Sequence, residues 1–162
     1  MLCTLNLGRR ALALAAIAGL TALQLGACTP KSAQGINTSL LDNQIAAAIG
    51  DPSTCLLLAD AKTGQVVYRY GSDFNCARTL PACDFAGVMN AKAGLPYAKR
   101  PGGRMASCAS VPDGSRQVGW AAGRVQSAKR DLVFSAVMEG ERALPGHEIN
   151  ARLFDAFQKA GL

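Results

Sequence analysis

The stretch Cys55-Leu-Leu-Leu-Ala-Asp60, Ala61-Lys-Thr-Gly64, Gln65-Val-Val-Tyr-Arg-Tyr70 decides the fold. Two short runs rich in Leu, Val and Tyr flank a polar segment whose Gly64 can take a positive φ, the signature of a β-hairpin. Three successive leucines leave the first strand no polar side, so it is expected to be covered on both faces. Upstream, Thr38 or Ser39 can cap a helix that aligns Leu40, Leu41, Ile45, Ala48 and Ile49 on one face, with Asp42 three positions after Ser39. Gly50-Asp51-Pro52 stops it. Downstream, residues 71–75 are rich in turn formers, and Phe85, Val88, Met89 and Leu95 give residues 81–95 a helical spacing. Residues 104–110 read as a strand, Val111-Pro-Asp-Gly-Ser115 as a turn, and residues 117–126 and 131–138 as a second hairpin around Ser127-Ala-Lys-Arg130. After Pro145 and Gly146, a last helix brings Ile149, Leu153, Phe157 and Ala160 onto one side. The expected fold is α+β, a single domain over residues 38–162: an antiparallel sheet of about five strands with N- and C-terminal helices packed on one face.

The chain has 162 residues, 49% hydrophobic and 17% charged, with 17 Gly and 7 Pro that follow no triplet period. Large multidomain machinery, disorder and collagen are excluded on those grounds. Much of the Ala and Leu lies at the start. Arg9 and Arg10 precede an apolar run at residues 11–23, shorter than the ~20 residues a helix needs to cross a bilayer, which reads as a signal peptide rather than a span. Leu25-Gly26-Ala27-Cys28 follows, and this tetrapeptide resembles the lipobox of bacterial lipoproteins. The resemblance implies removal of residues 1–27, lipidation of Cys28 and a tether over residues 28–37. Several acyl chains, at ~0.8 kcal/mol per buried methylene, hold a protein stably on a membrane. Thr29 rather than Asp after the cysteine implies the outer membrane, facing the periplasm.

Loss of residues 1–27 from 162 leaves 135 and removes Arg9, Arg10 and Cys3, so the formal charge of +6 falls to +4. The remaining cations are dispersed without interleaved aromatics, so no nucleic-acid partner is expected, while attraction to anionic envelope surfaces stays open. Cys55, Cys76, Cys83 and Cys108 remain for an oxidising compartment, two disulfides with three possible connectivities. Cys55 with Cys76 is the favoured bridge, because it ties the first strand to the segment after its hairpin, and Cys83 with Cys108 follows by elimination. With His147 alone of its kind, at a helix start and expected to be solvated, neither a metal site nor a cofactor is expected. Trp120 and Tyr97 are assigned to packing, and Glu139, Glu141 and Arg142 to a polar loop.

Ser53-Thr-Cys-Leu-Leu-Leu-Ala-Asp-Ala-Lys-Thr-Gly64 and Cys76-Ala-Arg-Thr-Leu-Pro-Ala82 together resemble the opening of class D β-lactamases and the related penicillin-sensing domains. Val118-Gly-Trp-Ala-Ala-Gly-Arg-Val125 is similar to the family's strand after its Lys-Thr-Gly motif. Leu132-Val-Phe-Ser-Ala-Val137 is similar to its last strand, and Lys159-Ala-Gly-Leu162 to the end of its terminal helix. The departures carry the functional reading. The family's Ser-x-x-Lys nucleophile motif corresponds here to Cys83-Asp84-Phe85-Ala86, which lacks both the hydroxyl and the basic amine, and an alcohol needs an adjacent base to attack an amide. Asp84 disfavours a Cys83 thiolate. The Lys-Thr-Gly motif corresponds to Lys99-Arg100-Pro101-Gly102, so remaining affinity for an anion would depend on Lys99, Arg100 or Arg104. The literal Lys62-Thr63-Gly64 sits in a hairpin turn and is turn chemistry. Ala86 and Lys99 are 13 positions apart, which leaves no room for the family's helical domain.

The resemblance implies a non-catalytic binding or structural lipoprotein, with an envelope protein or a peptidoglycan or β-lactam ligand as partner. The alternatives are an active penicillin-recognising hydrolase and an unrelated periplasmic inhibitor or immunity lipoprotein.

Overall fold

The computed structural model describes residues 35–126 and 130–162. The leader, Cys28 and most of the tether lie outside the described residues, as does most of the turn before Arg130. Helix α1 (Thr38–Ile49) leads into β1 (Cys55–Asp60) and β2 (Val66–Tyr70). Short pieces follow: α2 (Asp73–Ala77), β3 (Leu80–Pro81), β4 (Val88–Met89), α3 (Ala91–Gly94) and a 3₁₀ turn (Tyr97–Lys99). Then come β5 (Arg104–Ala109), β6 (Gln117–Val125), β7 (Leu132–Gly140) and α4 (Gly146–Lys159). Five strands form one antiparallel sheet in the order β2-β1-β7-β6-β5. The expected α+β architecture is what the chain adopts. Among the described residues no helix is long and apolar enough to cross a membrane.

Strand alternation sorts the side chains between two cores. Leu56 and Leu58 of β1, with Leu132, Phe134, Ala136 and Met138 of β7, face α1 and α4. Cys55, Leu57 and Ala59, with Val133 and Val137, face the opposite way, under β3, β4 and α3. The triple leucine is therefore covered on both sides. From the helices, Leu41, Ile45, Ile49, Ile149, Leu153 and Phe157 close the first core, and Phe157 meets Phe134 edge to face at 5.3 Å. Each such buried side chain contributes about 1.5–3 kcal/mol. Close approach of α4 to the sheet depends on Gly146, where a Cβ would stand 2.2 Å from the Trp120 carbonyl oxygen.

Two local expectations are corrected. The cap of α1 is Asn37, whose side chain accepts the Leu40 N–H at 3.0 Å, so the helix starts before Ser39 and Leu40 turns outward. Residues 81–95 do not form one helix. Cys83 has φ 75° and Gly87 φ 118°, conformations no α-helix contains, and the chain instead folds back as a two-stranded ladder pairing Leu80 with Met89 and Pro81 with Val88. Of the residues at helical spacing there, Met89 and Leu95 are buried, while Phe85 and Val88 are exposed at 43% and 63%.

Candidate functional site

The turn between β3 and β4 leans over the start of β5, at the edge of the sheet. Two bonds hold it there. Cys83 is in disulfide linkage with Cys108 of β5, and Asp84 receives a two-point ion pair from Arg104, with Nε at 2.9 Å and the second nitrogen at 2.5 Å. The Arg104 guanidinium also donates to the Ala82 carbonyl, and only 6% of the residue is exposed. Its hydrogen bonds hold the Asp84 carboxyl below the usual carboxylate range, against a smaller opposing effect of burial, so Asp84 is an anion.

Aromatic rings enclose this pair. Phe85 and Tyr97 stack at 6.0 Å with 13° between planes, and the Arg104 carbon Cζ lies 5.5 Å from the Phe85 ring centre, 5.2 Å from Tyr97 and 5.8 Å from Trp120. Such cation–π contacts are worth about 0.5–2 kcal/mol each. Trp120, fully buried as packing requires, donates its indole N–H to the Pro81 carbonyl at 2.8 Å. Arg100 stands 4.4 Å over the outer side of Tyr97. The result is a cleft of about 400 Å³ lined by Asp84, Phe85, Tyr97, Arg100, Gly103, Arg104 and Met105.

The residues expected to act together are separated in part. Cys83 has no thiol, because its sulfur is bonded to Cys108, and Ala86 lies exposed in the turn. Arg104 borders the cleft but is buried, and its guanidinium is committed to Asp84 and the Ala82 carbonyl. Arg100 reaches the cleft. Lys99 does not line it, because the 3₁₀ turn directs its side chain to two adjoining clefts, of about 490 and 280 Å³. Both disulfide pairings are those expected, Cys55 with Cys76 and Cys83 with Cys108. His147 is exposed, and among the described residues no three His, Cys, Asp or Glu side chains converge as metal ligands would.

A second polar cluster escaped the sequence reading. Glu139 belongs to β7, not to a loop, and is 3% exposed. Arg116 donates to both of its oxygens at 2.8 Å, Arg78 to one at 3.0 Å, and the Ser110 hydroxyl to the other at 2.8 Å. Chiefly through Arg116, and against its burial, this network depresses the Glu139 carboxyl to about 2. The signal was present in the strand period, since Glu139 stands two positions beyond Val137 on the same side of β7. Four hydrogen bonds and two guanidinium groups satisfy the carboxylate, so among the described residues this cluster is a structural lock on β7.

Among the described residues the sheet edge thus offers the exposed Arg100 guanidinium, the stacked rings of Phe85 and Tyr97 and the exposed apolar side chain of Met105. Comparison with protein-family models, with curated proteins and with solved structures found no match to this chain.

Proposed function

We propose that this chain is a bacterial envelope lipoprotein whose domain is a degenerate, non-catalytic relative of class D β-lactamases, serving as a binding or structural module. The carrying observation is the fate of the nucleophile position. The segment resembling Ser-x-x-Lys lies beside β5, the edge strand that follows the segment resembling Lys-Thr-Gly, and there Cys83 is consumed in a disulfide and Ala86 offers no base. The sharing of one sheet by residues 55–70 and 117–138, with both terminal helices against one face, supports the same reading. In place of a catalytic centre the edge carries Arg100, Tyr97, Phe85 and Met105, residue types that supply binding energy at protein surfaces.

The test is incubation of the purified protein with a fluorescent penicillin. No covalent label is expected. Label that disappears in Cys83→Ala would establish the hydrolase or acyl-enzyme alternative instead. Anchoring is tested separately: cells fed radiolabelled palmitate should label the wild type and not Cys28→Ala, and equal labelling refutes lipidation at Cys28.

A further inference from the structure

The cations the resemblance drew together occupy one end of the domain, where the β1–β2 and β6–β7 turns close and β5 begins. Lys62, Lys92, Lys99 and Arg100 are all exposed there, and none of them has a carboxylate partner among the described residues. The nearby acids are already satisfied. Asp60 accepts the Lys62 and Thr63 amides and the Thr63 hydroxyl inside its own turn, and Asp131 pairs with Arg124 at 2.8 Å. This end therefore carries an uncompensated positive field.

Between Lys92 and Lys99 opens a cleft of about 280 Å³ whose floor is Ala59, Leu95, Pro96 and Val133. Two ammonium groups above an apolar floor suit a ligand that is anionic at one point and apolar beside it. The direction of α1 adds a second constraint. Its last turn meets the start of β1, since the Thr54 hydroxyl donates to the Ile49 carbonyl, while Asp42 near its beginning bonds Tyr68 of β2, opposite Leu58. The helix has 12 residues and β1 has six, lengths of about 18 Å and about 20 Å. Helix α1 therefore starts at the cationic end, and the segment leading back to Cys28 joins the domain there.

We propose that this end is a docking surface for anionic phospholipid, with Lys92, Lys99 and Arg100 engaging headgroup phosphates and the cleft between the two lysines taking the adjoining glycerol and upper acyl portion. The proposal rests on the lipoprotein reading for its biological setting, since an anchor on Cys28 would bring this same end to the bilayer. The surface chemistry is independent of the anchor and can be tested without it.

The experiment uses the chain from Gly35 onward, which contains every described element and both cores, in co-sedimentation with vesicles. One set is pure phosphatidylcholine and the other an equal mixture with phosphatidylglycerol. Binding to the mixed vesicles alone is expected, weakening as salt is added. Each cation near an anionic surface adds about 1 kcal/mol, so reversing Lys92, Lys99 and Arg100 to Glu together should lower partitioning by on the order of 100-fold or more. Arg142→Glu, at the opposite end of the sheet, should leave binding unchanged. Equal binding to both vesicle types, no binding to either, or retention of binding by the triple variant with native circular dichroism each overturns the proposal. Loss of palmitate labelling with anionic binding intact would refute the anchor alone.

Discussion

Replacement of Glu139 by Gln tests the buried network of β7 directly. In the folded protein the carboxyl is held at about 2, against an ordinary value of 4.5, because Arg116, Ser110 and Arg78 all donate to the charged form. That gap corresponds to about 3 kcal/mol at 1.36 kcal/mol per pH unit. The folded value is the lower of the two, so this stabilisation is complete above the ordinary range and is lost as pH falls through the folded value. Gln preserves the shape but is uncharged and keeps a single acceptor oxygen, with an amide N–H₂ where the second carboxylate oxygen stood, so Arg78 and Arg116 lose the anion and part of their hydrogen bonding. Their side chains are 29% and 43% exposed and can turn to water, which keeps the loss near ~3 kcal/mol, at the lower edge of the range for broken buried pairs. Urea unfolding with disulfides intact, followed from neutral pH to about pH 2, measures the difference between wild type and Glu139→Gln. Asp84 and Asp113 are also depressed, but by groups other than Arg116 and Arg78, so they are common to both proteins and cancel, whereas Asp51, depressed chiefly by Ser53, also feels Arg116 and contributes a small difference. The gap should be near ~3 kcal/mol at neutral pH, begin to close below about pH 4.5 and be mostly gone near pH 2. A neutral gap under about 1 kcal/mol, or one that stays constant down to about pH 2, refutes the network as described.

Titration of the denatured, unreduced protein should find no thiol among Cys55, Cys76, Cys83 and Cys108, and two or more would break the observed pairing. Removal of the Cys83–Cys108 bridge by double replacement with Ala opens a loop of 25 residues and should cost about 3 kcal/mol in thermal or urea unfolding. The Ser135 hydroxyl is buried and has no hydrogen-bond partner among the described residues, so Ser135→Ala should be neutral or stabilising by up to ~1 kcal/mol; a clear loss of stability in a thermal melt would reveal a partner. Gly94→Ala should destabilise by more than ~1 kcal/mol, because its Cβ would stand 2.1 Å from the Ser135 oxygen, and Ser135→Ala should recover part of that loss. A strictly additive double variant would refute the contact.

Wherever the sequence had a strong period, the structure follows it. Leu56 and Leu58 divide from Leu57 by simple alternation, and Ile149, Leu153 and Phe157 sit on one side of α4 as their spacing requires. The sequence reading failed where a few covalent and ionic contacts, rather than a period, set the path. Phe85, Val88, Met89 and Leu95 have helical spacing, but Cys83 at φ 75° and the Asp84–Arg104 pair turn the chain before a helix can form. Arg104 read as a free cation because nothing in one dimension places Asp84, 20 positions earlier, against it. Glu139 read as a loop residue because a run of Glu and Arg looks solvated unless a strand is known to continue beneath it. In each case the deciding partner was distant in sequence, and a tertiary contact overrode the local pattern.

The two disulfides share a side of the molecule. Both fasten the layer of short pieces, from α2 to β4, and neither touches the layer formed by α1 and α4. The helix-backed half closes through burial and a few hydrogen bonds with no disulfide, whereas the half that hides Trp120, Val133 and Val137 is covered by segments of two to five residues, too short to persist unaided. Each bridge therefore acts on the layer that secondary structure supports least, so reduction should loosen the cover over Trp120, Val133 and Val137 before it disturbs α1 and α4.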